Sequence, residues 1–199
     1  MRATPASTDT RALRSREQIF AALHEAGREG NLSTLSALSA AAGVTRATIY
    51  NHFETLEEAA WFAVRRSLER LVDADAAQRH HGLPPDVVGV DSLRKVIEFL
   101  REEESLVRVA DTYRSDAALP GLAGILLGTV ERFRADFPPA TTTEPDTSTE
   151  AAAQDSYVAG GLYAVMSTGA WGQRDPAEIA AVAYSLLPEW MRRPGTPSA

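Results

Sequence analysis

The chain contains no cysteine, and Lys95 is its single lysine among 199 residues. The lack of cysteine excludes disulfides, thiolate zinc sites and cysteine nucleophiles, and it fits a cytoplasmic protein. No apolar run approaches the roughly 18 residues that span a bilayer, and the first residues lack the apolar segment of a secretory signal. These absences favour a cytoplasmic protein that does not enter a membrane.

Positive charge is also scarce, since the formal net charge is −7. An acidic chain at first argues against a nucleic-acid partner. Affinity for phosphate, however, depends on the local charge where phosphates approach. Residues 1–16 carry the basic residues Arg2, Arg11, Arg14 and Arg16 against Asp9 alone. Overall acidity therefore counts only weakly against nucleic-acid binding.

Helical periodicity runs through most of the chain, with no convincing strand pattern and no internal repeat. Hydrophobic residues make up 44% and charged residues 24%, which is ordinary for a globular protein. We predict an all-α protein of about nine helices, with Pro188 kinking or shortening the last one. Their approximate bounds are 10–26, two short helices within 31–53, then 55–78, 92–100, 103–114, 120–137, 151–170 and 176–192.

The segment from Asn31 to Phe53, NLSTLSALSAAAGVTRATIYNHF, predicts a helix-turn-helix. A short apolar helix meets Gly43, and glycine accepts the left-handed conformation common just past a helix end. Thr45 is a good N-cap for a second short helix. A helix, a tight turn with glycine and a polar second helix form the motif that enters the major groove of DNA.

The second helix of this motif has two faces at helical spacing. Ile49 and Phe53 point inward, where they can meet Phe20, Leu38 and Trp61. The opposite side carries groups suited to DNA: arginine binds guanine, asparagine binds adenine, a small alanine admits the backbone, and hydroxyls or imidazole reach phosphates. These residues are Arg46, Ala47, Thr48, Tyr50, Asn51 and His52. The alternative is an ordinary solvated polar face.

The segment AAGVTRATIYNHFETLEEA closely resembles the signature of the tetracycline-repressor (TetR) family of transcription regulators. The matching positions are Ala42-Gly43-Val44, Thr45, Ile49-Tyr50 and His52-Phe53, and the match covers about residues 10–64. The resemblance implies that Arg46, Ala47, Thr48, Tyr50 and Asn51 face the bases. It also implies that Thr45, Tyr50 and His52 hold phosphates.

Leu56 departs from the family pattern, which usually has a phosphate-binding lysine there. Glu54, Glu57 and Glu58 flank it; these acids suit the helix dipole but repel phosphate. Backbone amides at that helix start can still bind a phosphate, and the N-terminal arginines can supply charge. Thr55 and Glu58 predict a capping box for the long helix that follows.

The resemblance implies a C-terminal domain that binds a ligand and forms the dimer. When the ligand binds, the protein would release a two-fold symmetric DNA operator. The fourth helix would link the DNA-binding and ligand-binding domains. We expect a disordered arm at 1–9, a DNA-binding domain at 10–54, a ligand-binding and dimerisation domain at 55–192 with a mobile linker at 138–150, and a disordered tail at 193–199. The effector should be small and mostly apolar. Candidate pocket residues are polar or aromatic: Phe62, Arg66, Phe99, Asp111, Tyr113, Phe133, Tyr157 and Trp171.

Small residues in the helix at 151–170 favour close packing of two protomers. They are Ala159, Gly160, Gly161, Ala164 and Gly169, with the larger Ile179, Val182, Leu186 and Trp190 following in the last helix. Packing within one protomer is the alternative. We expect no catalytic residue, metal or cofactor, since His80 and His81 have no further ligands and no phosphate-loop spacing occurs. Two alternatives stay open: an all-α enzyme using Asp111 beside Tyr113, or a regulator controlled by a protein partner, whose cavity would be closed or very small.

Overall fold

The computed structural model describes residues 6–114, 119–138 and 148–193. These ranges form helices and no strand, which confirms the all-α prediction. The helices are α1 (Ala6–Arg28), α2 (Leu35–Ala41), α3 (Arg46–Tyr50), α4 (Leu56–His80), α5 (Pro85–Glu102), α6 (Glu104–Asp111), α7 (Gly121–Asp136), α8 (Thr149–Ala170), α9 (Pro176–Leu186) and α10 (Glu189–Arg192).

Several helix bounds differ from the predicted ones. The described residues hold ten helices rather than nine, because α9 ends before Pro188 and that proline is the N-cap of α10. Proline cannot continue a helix but fits the start of one. Helix α1 begins at Ala6, directly after Pro5 in the sequence, so it includes residues 6–9 that were assigned to a disordered arm. The predicted loop at 86–90 is instead the first part of α5.

Parts of the predicted arm, linker and tail, at residues 1–5, 139–147 and 194–199, lie outside the described residues. The end of the predicted linker does fall within them. Ser148 accepts a hydrogen bond from the amide of Ala151 at 3.1 Å and so caps α8. In the described ranges, no helix is long and apolar enough to cross a membrane.

The first of two compact units comprises the chain up to Val64 together with Glu103–Tyr113. Its core includes fully buried Ile19, Leu23 and Ile49, which lie on α1 and α3. Helix α6 packs against α1 so closely that a β-carbon on Gly27 would lie 3.1 Å from the Cβ of Leu106. The unit therefore contains α6, which the predicted boundary at 54/55 assigned to the second domain.

The second unit comprises Arg65–Glu102 and the chain from Arg114 onwards. Its main packing contacts join α7 to α8 and α5 to α9. Gly89 on α5 is buried against the ring of Tyr184 on α9, and a β-carbon there would overlap that ring. The close approach of α5 to α9 therefore requires glycine at this position.

Candidate nucleic-acid interface and ligand cavity

The turn between α2 and α3 has the geometry that the sequence predicts. Gly43 has a φ of 64°, and nothing lies within 4 Å of a β-carbon placed there, so the backbone conformation rather than space requires glycine. Thr45 caps α3, with its Oγ1 accepting from the amide of Thr48 at 3.1 Å. The Oγ1 atoms of these two threonines are also hydrogen-bonded, at 2.8 Å. Local sequence thus fixes the start of α3.

The inner face of α3 is anchored in the core of the first unit. Ile49 is fully buried and Phe53 is 2% exposed. The Phe53 ring lies 6.3 Å from that of Phe20 and 5.8 Å from that of Phe62, measured between centroids. The predicted inward orientation is therefore confirmed. It also places Phe62, a predicted ligand contact, among the residues that support the helix-turn-helix.

The outer face of α3 is open. Tyr50 is 55% exposed although it is a large aromatic residue. Arg46, Ala47 and Asn51 are exposed as well, and Thr48 is half-buried beside its capping partner. The side chains of Arg46 and Tyr50 on α3, and of Asn51 at its C-cap, are therefore accessible to a partner.

His52, just after α3, is half-buried, and its environment disfavours a positive charge. Partial burial lowers the pKa of its imidazole from 6.5, and the charge of Arg16 on α1 lowers this pKa further. The imidazole is therefore neutral at pH 7. It can hydrogen-bond a phosphate there but adds no charge.

The start of α4, where the family pattern has lysine, is closed by its own side chains. Thr55 Oγ1 accepts from the amide of Glu58 at 3.1 Å, and the Glu58 carboxylate accepts from the amide of Glu54 at 2.6 Å. The predicted cap is present, with Glu58 reaching one residue further back than in the usual capping box. The Glu58 carboxylate opposes an incoming phosphate, and Thr55 occupies the amide of Glu58, one of the amides at the helix start that could bind a phosphate.

A partly open cavity of about 110 Å³ lies between helices of the second unit. Its walls come from α4, α5, α7, α8 and the α9–α10 segment, and they are mostly apolar. The apolar lining residues include Leu71, Val72, Leu93, Val96, Leu126, Val130, Phe133, Leu162, Met166, Leu187 and Met191. Asp75, Arg79, Ser92, Thr129 and Tyr184 add polar atoms to this wall.

The polar wall is a hydrogen-bonded cluster. Arg79 donates to Asp75 from Nε at 2.6 Å and from Nη2 at 3.3 Å, and Ser92 Oγ donates to Asp75 Oδ1 at 2.5 Å. The side chains of Arg79 and Asp75 are only 7% and 10% exposed. Sequence analysis missed this cluster. The available signal was that Asp75 and Arg79 continue, at helical spacing, the apolar stripe of Leu68 and Val72 along α4.

The predicted ligand residues do not meet in one place. Phe133 lines the cavity, whereas Phe62, Asp111 and Tyr113 belong to the first unit, where the rings of Tyr113 and Trp61 lie 5.6 Å apart. Tyr157 is 84% exposed on α8. Arg66, Phe99 and Trp171 are half-buried in the second unit, and none of them lines the cavity.

The outer surface of α8 and α9 exposes several large apolar residues. Val182 is 54% and Leu186 67% exposed, and a groove of about 640 Å³ runs along Tyr157, Gly161 and Leu186. Two of the small residues predicted to face another protomer, Ala159 and Gly169, are instead buried. Gly169 packs against Ile179 of the same chain, so intramolecular packing accounts for that part of the stripe.

The structure is similar to several solved structures of transcription regulators. FadR from Thermus thermophilus, a TetR-family transcriptional repressor solved in complex with lauroyl-CoA, aligns with a TM-score of 0.57 and 20% identity over 86% of this chain and 92% of that one. The fatty acid degradation regulator FadR from Bacillus halodurans aligns at 0.53 and 16% identity, over 94% and 96%. RolR in complex with resorcinol aligns at 0.51 and 15% identity, over 93% and 89%. No family model and no curated protein matches the sequence.

The protein is therefore an all-α helix-turn-helix protein with a second helical unit. Its fold is the fold of TetR-family transcription regulators. At this level of sequence identity, the likeness establishes the fold, and function has to be argued from the residues themselves.

Proposed function

We propose that the protein is a ligand-responsive, DNA-binding transcription regulator of the TetR type, acting in the cytoplasm as a repressor. The observation that carries this proposal is the exposed outer face of α3, with Arg46, Tyr50 and the C-cap residue Asn51, on a helix whose inner face is buried. Arginine and asparagine in that position suit guanine and adenine edges. Thr45, Tyr50 and His52 would contact phosphates, with Ala47 and Thr48 close to the bases.

The second unit supplies the features that a ligand-responsive regulator needs. It contains a partly open, mostly apolar cavity with a few polar groups, which is the usual character of a small-molecule site. FadR and RolR, which share the fold, were solved with lauroyl-CoA and resorcinol. We propose that residues 10–54 bind DNA and residues 55–192 bind effector and partner, and that effector favours a dimer whose recognition helices no longer match the operator.

The DNA-binding proposal is tested by selecting sites from a random DNA pool with the purified protein. Operator affinity is then measured at one fixed salt concentration for Arg46→Ala and Tyr50→Ala. Loss of one base contact costs about 1–3 kcal/mol. A dimer would make the contact in both half-sites, so each variant should lower operator affinity at least tenfold. Arg108→Ala on α6 is the matched control, since Arg108 is exposed in the same unit. Unchanged affinity in both α3 variants would refute the assigned face.

We further propose that the exposed apolar surface of α8 and α9 forms a homodimer interface. A two-fold operator requires two recognition helices about one DNA turn apart. Leu186→Glu should convert the dimer to a monomer in light scattering, because it buries a charge at an apolar contact. Leu83→Glu is the control, since Leu83 is 47% exposed outside this surface. If Leu186→Glu leaves the dimer dissociation constant unchanged, the interface does not include this surface.

A further inference from the structure

The arginine side chains that the structure describes in the first unit fall into two groups. Those of one group are paired with acids on their own helix, at 3.0 Å and 2.6 Å, and they are Arg28 and Arg108. Those of the other group are exposed and form no hydrogen bond or ion pair with any described residue, and they are Arg14, Arg16 and Arg46. An exposed guanidinium without a partner is available to a phosphate. Arg46 lies on α3 itself, so the question is what the two arginines of α1 can reach.

Helix α1 places Arg16 beside the end of α3. Phe20 on α1 contacts Phe53, with 6.3 Å between the ring centroids, and the Phe53 ring lies 6.1 Å from that of His52. Arg16 precedes Phe20 by four residues, so it lies on the same face of α1, one turn closer to the N-terminus. The long side chain of Arg16 therefore extends from the face of α1 that contacts the segment just after α3.

The charge of Arg16 acts on the imidazole of His52. Burial is the main cause of the lowered pKa of His52, and the charge of Arg16 is the second cause. Exposed charges are largely screened beyond a Debye length of about 10 Å. Because the Arg16 guanidinium is exposed, its effect on this pKa requires that it lies close to the imidazole. Two hydrogen-bond donors from different segments thus converge next to α3.

The two side chains complement each other as a phosphate site. The neutral imidazole of His52 offers one N–H donor, and Arg16 offers a fork of N–H donors with a full positive charge. One cation beside one neutral donor balances the single charge of a DNA backbone phosphate, without repulsion between the two protein groups. The start of α4 offers no such balance, because the Glu58 carboxylate lies there.

We propose that Arg16 and His52 together bind one backbone phosphate in each half-site of the operator, so that α1 supplies the charge that the start of α4 does not. This assignment rests on the proposed function, since it adds a contact to the same DNA-binding surface. Phosphate contacts fix the orientation of a protein on DNA and carry no sequence information directly. Arg16 thus orients α3 on the duplex, whereas Arg46 and Asn51 select the bases.

The salt dependence of operator binding tests the assignment of Arg16. Each neutralised phosphate contributes about −0.9 to the slope of log K against log salt concentration, and a dimer would make the contact twice. Arg16→Gln should therefore reduce the magnitude of this slope by about 1.8. Its loss of affinity relative to the unaltered protein should be about tenfold larger at about 50 mM than at about 200 mM salt. The probe is the operator selected from the random pool, at about pH 8, where His52 is neutral.

Arg14→Gln is the matched control, because it removes the same charge from the same helix. Arg14 is exposed, and two residues along a helix separate it from Arg16 by about 200° around the axis. Arg14→Gln should leave the slope unchanged, and Arg16→Lys, which keeps the charge, should retain most of it. Both arginines are exposed and unpaired, so these variants should unfold at the same urea concentration as the unaltered protein.

His52→Phe tests the second donor, because it keeps an aromatic ring beside Phe53 and removes the N–H group. A hydrogen bond to a charged group is lost in each half-site, so operator affinity should fall at least tenfold. The slope should stay unchanged, since the imidazole is neutral under these conditions.

Site selection repeated with Arg16→Gln separates a phosphate contact from a base contact. The variant should select the same consensus sequence as the unaltered protein, with lower affinity. A changed consensus would mean that Arg16 reads a base.

The inference is overturned by that changed consensus, by an unchanged slope in Arg16→Gln, by an equal reduction in Arg14→Gln, or by full operator affinity in His52→Phe. In each of these cases the unaltered protein still binds its operator, so the proposed function stands. If the unaltered protein selects no operator and binds no duplex, the proposed function fails, and the phosphate contact fails with it.

Discussion

Breaking the buried ion pair between Arg134 on α7 and Asp155 on α8 should strongly destabilise the second unit. Arg134 donates to Asp155 from Nε at 2.9 and 3.1 Å and from Nη2 at 2.6 Å. The two side chains are only 9% and 5% exposed. The Arg134 guanidinium also lies 4.1 Å from the centroid of the Trp190 ring. Asp155→Leu would leave the arginine charge buried beside this ring without its carboxylate.

The magnitude follows from that burial. Removing one partner of a buried pair costs about 3–5 kcal/mol. With a urea dependence of about 2 kcal/mol per molar, the unfolding midpoint should fall by roughly 1.5–2.5 M. Replacing both residues, as in Arg134→Met with Asp155→Leu, leaves no lone charge and should recover most of the loss.

Urea unfolding followed by tryptophan fluorescence measures this effect. The protein concentration is held fixed, since dissociation of the proposed dimer would make stability concentration-dependent. Glu69→Ala provides the comparison. It removes an exposed pair with Arg65, whose side chains are 48% and 45% exposed. That change should cost no more than about 1 kcal/mol. A loss in Asp155→Leu as small as in Glu69→Ala, or a double variant as unstable as the single one, would refute the reasoning.

Three further outcomes are expected. Thr45→Val should lower unfolding free energy by about 1 kcal/mol and weaken operator binding, whereas Thr45→Ser restores both, because the hydroxyl caps α3. NMR titration should give His52 a pKa below 6.5, and Arg16→Ala should raise this pKa. Because folding lowers the pKa of His52, its contribution to the free energy of unfolding falls as pH drops below about 6.5. Gly89→Ala should lower the thermal midpoint, since its methyl group meets the Tyr184 ring; an unchanged midpoint contradicts that contact.

The helix-turn-helix was predictable because its determinants are close together in sequence. Gly43 ends one helix, Thr45 starts the next, and Ile49 and Phe53 face inward at helical spacing. Each of these effects depends on a few neighbouring residues and on the periodicity of a single helix. The same is true of Pro188, which limits α9 and begins α10.

The cavity of the second unit was not predictable in this way. Asp75 and Ser92 are hydrogen-bonded although they are 17 positions apart in the sequence. Tyr184, which also lines the cavity, comes from a helix much further along the chain. Aromatic residues such as Phe62 and Tyr113 were equally compatible with either hydrophobic core, and the structure places both in the first unit. Apolar side chains indicate burial without indicating which core they enter.

The amino-acid sequence by itself determined the all-α class, the helix-turn-helix and the residues on the open face of α3, because helical period, caps and turn glycines act locally. Only the tertiary structure decided that α6 packs on α1, that Ala159 and Gly169 face inward, and that Asp75, Arg79 and Ser92 meet in the wall of a mostly apolar cavity. These features arise where segments distant in sequence meet. Their burial depends on packing between helices, which the periodicity of one helix does not specify.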